Sequence, residues 1–169
     1  MSIYLILTVI GDDRPGLVEQ LAATVSAHEG NWLESRFSHL AGKFAGVLRV
    51  QAPTEKSAAL QKALESLPDF RITAEVVAEE KPSIYSKGLT LSLTGHDRIG
   101  IIHDVSQVLA RLGVNVEKLT TQVSSAPMSG EPLFEAVAQL KVKPETDIKP
   151  IIQALEQLSD DLMVEITTD

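Results

Sequence analysis

The stretch "GDDRPGLVEQ", Gly11 to Gln20, follows an apolar run, and a near copy, "GHDRIGIIHD", occupies Gly95 to Asp104. Gly95 lies 84 residues after Gly11, and the same spacing matches Asp13 with Asp97, Arg14 with Arg98, Gly16 with Gly100 and Asn31 with Asn115. Further on the spacing grows to 91, matching Leu64 with Leu155 and Leu67 with Leu158. The seven added residues fall around "SSAPMSGEP", Ser124 to Pro132, where Pro, Gly and Ser mark a loop. The chain is therefore a duplicated unit of roughly 80 residues, and each copy is long enough to be its own small domain.

Both copies read strand, helix, strand, strand, helix, strand. In the first, "IYLILTVI" is rich in β-branched and large apolar residues, as a strand is. Leu17, Leu21 and Val25 then recur four apart, with Val18 and Ala22 beside them, which predicts a helix with one apolar stripe. "NWLESRFSHL" and "KFAGVLRVQA" follow as two strands around a tight turn at Ala41-Gly42. A helix through Leu60, Ala63, Leu64 and Leu67, with Thr54 as its expected cap, precedes a last strand, "FRITAEVV". The second copy repeats the order: "LTLSLT", a helix through Ile102, Val105, Leu109 and Leu112, "VNVEKLTTQV", "LFEAVAQLKV", a helix through Ile148, Ile152, Leu155 and Leu158, then "LMVEITT". The expected boundaries are a first domain over 1–80, a linker over 81–87 in "EEKPSIYSKG", and a second domain over 88–169.

This element order predicts an α+β fold: two tandem ferredoxin-like βαββαβ domains, each a four-stranded antiparallel sheet with two helices on one face. Such a sheet leaves its second face uncovered. The first strand of copy one is apolar on both sides, Ile3, Leu5 and Leu7 against Tyr4, Ile6 and Ile10, which suggests that both faces are buried by a neighbouring domain or subunit. The corresponding strand of copy two alternates Leu89, Leu91 and Leu93 with Thr90, Ser92 and Thr94, so its outer face is small and polar.

Each repeated turn leaves a strand and enters a helix. Asp13 and Asp97 stand where a carboxylate can accept the free N–H groups of a first helical turn, and negative charge there suits the helix dipole. Pro15 is pre-shaped for an early helical position. Gly16 and Gly100 weaken a helix, so their presence in both copies suggests close approach of a strand, a subunit or a small ligand to the backbone. Asn31 and Asn115 follow the helices, and a place near the turn would let their amides serve the amino and carboxylate groups of an amino acid. Trp32, beside Asn31 on an edge strand, would line a ligand site or a subunit interface, or pack into the core.

Composition narrows the functions. The formal charge of −8 and the lack of a basic cluster remove the phosphate attraction that direct nucleic-acid or anionic-membrane binding needs. No apolar stretch reaches the ~18 residues of a membrane span, and the N-terminus reads as a strand rather than a leader peptide. The absence of cysteine excludes disulfides and thiolate chemistry and fits a cytoplasmic location. The histidines His28, His39, His96 and His103 have no metal-ligand spacing, and no nucleophile elbow or phosphate loop occurs, so neither a metal nor a catalytic residue is expected.

The segment "GDDRPGLVEQLAATVSAHEGNW" resembles the opening of an ACT domain, a small regulatory module that binds amino acids, with its D-R-P-G turn and following G-N. The resemblance spans nearly the whole chain as two copies. Two copies at this length resemble the family of the glycine cleavage system transcriptional repressor. That resemblance implies a non-enzymatic regulator without a cofactor, which senses a small amino acid, glycine by resemblance alone, and represses transcription by binding a DNA-binding activator. The alternatives are a ligand-independent interaction module, or a regulatory subunit of an amino-acid or one-carbon enzyme, since a similar module precedes the catalytic part of formyltetrahydrofolate deformylase. A homodimer is expected, because exposed edge strands pair easily. The candidate ligand contacts are Asp12, Asp13, Arg14, Pro15, Gly16, Leu17, Asn31 and Trp32 in the first copy. In the second they are His96, Asp97, Arg98, Ile99, Gly100, Ile101 and Asn115. Here His96 replaces the first Asp and Ile99 the proline, so the two sites are expected to differ in ligand, or one alone to work.

Overall fold

The computed structural model describes residues 1–169, which divide into two compact units, Met1–Lys81 and Pro82–Asp169. In the first unit the order is β1 (Ser2–Asp12), α1 (Leu17–Ala27), β2 (Asn31–Leu40), β3 (Lys43–Pro53), α2 (Thr54–Glu65) and β4 (Phe70–Val77). In the second it is β5 (Lys87–His96), α3 (Ile101–Arg111), β6 (Asn115–Ser125), β7 (Pro132–Val142), α4 (Lys149–Glu156) and β8 (Met163–Thr168). The sheets run β2-β3-β1-β4 and β6-β7-β5-β8, and every neighbouring pair is antiparallel. Each unit is thus the βαββαβ arrangement that the repeat predicts, with its first strand central in the sheet.

Alternation along the central strand decides the core. Leu5, Leu7 and Val9 of β1 face inward with Leu48, Val50 and Ala52 of β3. Against them lie Leu17, Leu21 and Val25 of α1 and Leu60 and Leu64 of α2. In the second unit Leu89, Leu91 and Leu93 take the same places, under Val105 and Leu109 of α3 and Ile151 and Leu155 of α4. The fourth helix is shorter than its periodicity implies: Ile148 and Leu158 flank it, and Ile151 rather than Ile152 is the buried residue. The turn at Ala41-Gly42 has positive φ at both residues, 51° and 79°, the geometry whose twist matches a two-residue hairpin.

One local expectation differs from the structure. Thr54 does not cap α2 with its side chain. Its hydroxyl and its amide both donate to the Met1 carbonyl, tying the helix start to the beginning of β1. The outer face of β1, expected to be buried by a neighbouring domain or subunit, is partly exposed within its own unit. Tyr4 and Ile6 are half-buried, whereas Ile10 is 40% exposed, and its outer-face neighbour Val47 is 41% exposed. Arg49 supplies part of the cover, its guanidinium lying 4.8 Å from the centre of the Tyr4 ring.

The sheet edge also differs between units. In the first, Trp32 and Phe37 of β2 pack with Phe44, ring centres 6.1 and 5.0 Å apart, and all three rest on the core. In the second, Val116 and Leu119 of β6 are partly exposed and border an apolar groove over Leu91, Leu93, Val105 and Leu109.

Trp32 is the sole tryptophan and packs on the first core, so its fluorescence reports the unfolding of that unit. In urea titrations followed this way, Leu21→Ala should lower stability by about 2–5 kcal/mol, because it empties a fully buried site. Val18→Ala, at a position 49% exposed, should change it by less than about 0.5 kcal/mol.

Candidate functional site

The repeated turn occupies the same corner of both units, between the end of the central strand and the start of a helix. Its two glycines serve different needs. At Gly11 an added Cβ would come within 2.6 Å of the Asp69 carbonyl, and at Gly95 within 2.9 Å of the Leu162 side chain. A close approach, made by the loop entering β4 or β8, thus falls at these glycines and not at Gly16 and Gly100, where it was expected. Gly16 and Gly100 instead have φ of 91° and 84°, with open space where a Cβ would stand. They are glycines because the chain turns into the helix through the left-handed region.

The aspartates do not cap the helices. Gly16 and Gly100 hold the N-cap positions, no side chain bonds either helix start, and Pro15 sits in the turn ahead of α1. Asp13 uses its amide to donate to the Gly42 carbonyl, 3.0 Å, and Asp97 does the same to Pro132, 3.1 Å. The physical reason is the positive φ, which leaves the aspartates beside the neighbouring strand's hairpin rather than above the helix axis.

Arg14 and Arg98 are anchored differently. Arg14 pairs with Asp69 at 2.5 Å, in the loop before β4, whereas Arg98 turns to Asp104 on its own helix at 2.9 Å. The Arg98 guanidinium, with a smaller contribution from His103, holds the Asp104 carboxyl below the ordinary carboxylate range. Asp12 pairs with Lys43 across the strand pair, and that ammonium lowers its carboxyl in the same way. His96, in the place of Asp12, lies between two carboxylates: Nδ1 is 3.0 Å from Asp161 and Nε2 is 3.2 Å from Glu131. Only the imidazolium can donate to both.

Several expected contacts are not brought together. Asn31 sits opposite Gln51, which itself sits opposite Tyr4, so β2 starts at the far end of the sheet from the turn. Eight residues of β1 separate Tyr4 from Asp12, about 26 Å at strand rise. Asn115 is equally remote, in register with Lys141 and Gly88. The cause is α1 and α3, which carry the chain back antiparallel to the strand before β2 or β6 begins. Trp32 stays with Asn31, its indole N–H donating to Ser35 Oγ at 3.1 Å and its ring against the core. Leu17 and Ile101 are buried, 2% and 6% exposed, so their side chains belong to the core. Asp12, Asp13, Arg14, Pro15 and Gly16, and His96 through Gly100, remain as exposed corner residues.

At the first corner a cavity of about 410 Å³ opens, bordered by Ile10, Gly11, Asp12, Lys43, Pro68, Asp69, Phe70 and Arg71. Of these, the repeated motif marks Gly11 and Asp12. Lys43, Asp69 and Arg71 come from other strands and loops, and no local spacing connects them to the turn.

These geometries define the class: two modules of βαββαβ form with an open polar corner each. Residues 3–76 and residues 88–165 each match a family described as ACT domain. The chain belongs to the ACT-domain family, with two copies in tandem. Among solved structures it is similar along 100% of its length to 99% of an unknown protein from Galdieria sulphuraria, with 25% identity and a TM-score of 0.87. It is similar along 100% of its length to 98% of a candidate glycine cleavage system transcriptional repressor, with 15% identity and a TM-score of 0.75. No protein of curated function matches the sequence. No helix is long and apolar enough to cross a membrane.

Two measurements check the corner. Gly16→Ala and Gly100→Ala should each destabilise by about 1–2 kcal/mol in urea unfolding, the penalty for an L-residue in left-handed backbone. Asp161 has its carboxyl lowered first by the Ser159 hydroxyl, then by the His96 amide and ring. A lowered carboxyl stabilises the fold above its unfolded value of about 3.9 and stops doing so as pH falls through the folded value. Wild type should therefore melt above Asp161→Asn at pH 7, and the gap between their Tm values should close below about pH 4.

Proposed function

We propose that this tandem ACT protein is a non-enzymatic regulator that senses a small amino acid and acts by binding another protein. The cavity beside the first turn carries the reading, because it gathers the carboxylates of Asp12 and Asp69 with the cations of Lys43 and Arg71, the charges that the two ends of a zwitterion require. A ligand bound there contacts β1, β3 and the loop entering β4 together, so it favours whichever arrangement of these elements holds it more tightly. The acidic balance of the chain, −8, favours a protein target such as a DNA-binding activator over DNA itself. A homodimer follows from the same logic of free edges, since β6 is exposed along its whole length. Glycine is the ligand that the fold-level likeness to a candidate glycine cleavage system repressor suggests.

Thermal unfolding against a panel of amino acids at about 10 mM tests the reading, since a ligand at about 100 times its Kd adds about 2.7 kcal/mol of stability. A rise in Tm with one amino acid is the expected result. A flat panel together with unaltered binding to partner protein would favour a ligand-independent interaction module instead.

A further inference from the structure

The outer face of the first sheet carries a symmetry of its own. Along β1 it presents Ile6, Thr8 and Ile10, and along β4 the residues opposite them, Glu75, Thr73 and Arg71. Two isoleucines thus flank Thr8, and an acid and a base flank Thr73, at equal spacing along their strands. On β3, Val47 lies opposite Thr8. Ile10 and Val47 are partly exposed, and neither Glu75 nor Arg71 forms an ion pair within the chain.

We propose that this face binds the same face of a second copy of the chain, about a two-fold axis that crosses the strands at Thr8. Sheets packed face to face lie about 10 Å apart, with their strands within about 30° of alignment. A two-fold axis across the strands lays each strand over its own counterpart, reversed. Ile6 then meets Ile10 of the second copy, Val47 meets Val47, and Glu75 meets Arg71 on both sides of the axis. The two charges that find no partner within the chain thus find one across the axis, beside an apolar centre. Arg36, opposite Val47 on β2, stands at the rim with Glu34 of its own strand, where water screens it from its counterpart. The Arg71 guanidinium has five donors, so an ion pair with Glu75 leaves it an edge for the cavity that it borders. Four strands span about 19 Å, and β1 from Tyr4 to Asp12 about 26 Å, so each copy covers about 500 Å² and the pair roughly 1,000 Å², where specific interfaces begin.

The second unit lacks this self-complementarity. Thr90, Ser92 and Thr94 replace the apolar row, and Glu165 stands opposite Ser92 on β8, between Thr167 and Met163. The same axis would set Glu165 against Glu165 with no opposite charge on either side, an arrangement that like charges oppose. The contact is also distinct from the free edge of β6, and it stands independently of the sensing function proposed above.

Sedimentation velocity of the full chain over a range of concentrations tests the contact. The wild type should self-associate, and Val47→Glu should weaken that association roughly tenfold or more. Arg71→Glu alone and Glu75→Arg alone should each weaken it as well, because each sets like charges together. An equimolar mixture of these two variants should associate as the wild type does, since every meeting across the axis then joins an acid to a base. Misfolded chains would not regain association on mixing, so the rescue separates a lost contact from a lost fold. Leu119→Lys, on β6, should leave this association intact. A wild type that stays monomeric, association that survives both Val47→Glu and Arg71→Glu, a mixture without rescue, or loss with Leu119→Lys each overturns the contact.

Discussion

The corner at which each central strand turns into its helix depends on one torsion angle. With φ near 90° at Gly16 and Gly100, the chain reverses in a space where an ordinary residue would be strained. That reversal lays α1 over β1 with Leu17, Leu21 and Val25 facing Leu5, Leu7 and Val9, and α3 over β5 likewise. The second requirement sits five residues earlier, where Gly11 and Gly95 give the next loop space to pass. A helix capped by aspartate would leave the carboxylates bound to its own amides. A helix entered through a left-handed glycine frees them; Asp12 and Arg14 pair with a neighbouring strand and loop, while Arg98 turns to Asp104 of its own helix.

This freedom is what allowed the two copies to diverge. The inner faces are interchangeable, because leucine and valine pack by volume and nothing in the core is polar. Outside the core the same backbone carries opposite chemistry: Asp12 with Lys43 in one unit, His96 with Glu131 and Asp161 in the other. The edges diverged as well. An aromatic trio closes the edge of the first sheet, while smaller residues leave the second with an apolar groove. A duplicated fold can thus keep its core and backbone while the surface chemistry of its two copies departs.

The sequence by itself determined the duplication, the order of twelve elements and most of the core. Strands alternate with period two and helices with a period near 3.6, so Leu89, Leu91 and Leu93, or Leu17, Leu21 and Val25, announce their buried faces by spacing alone. Gly16 and Gly100 were legible as special positions, but not the reason: they carry a left-handed turn, and the close approach expected of them falls at Gly11 and Gly95. Tertiary structure alone decided what lies beside what. Asn31 looks close to the turn along the chain, yet an antiparallel helix carries it about 26 Å away. Lys43, Asp69 and Arg71 look unrelated, yet sheet register places them around one cavity. Periodicity encodes which way a residue faces; pairing between distant strands, which no local pattern contains, fixes the company it keeps.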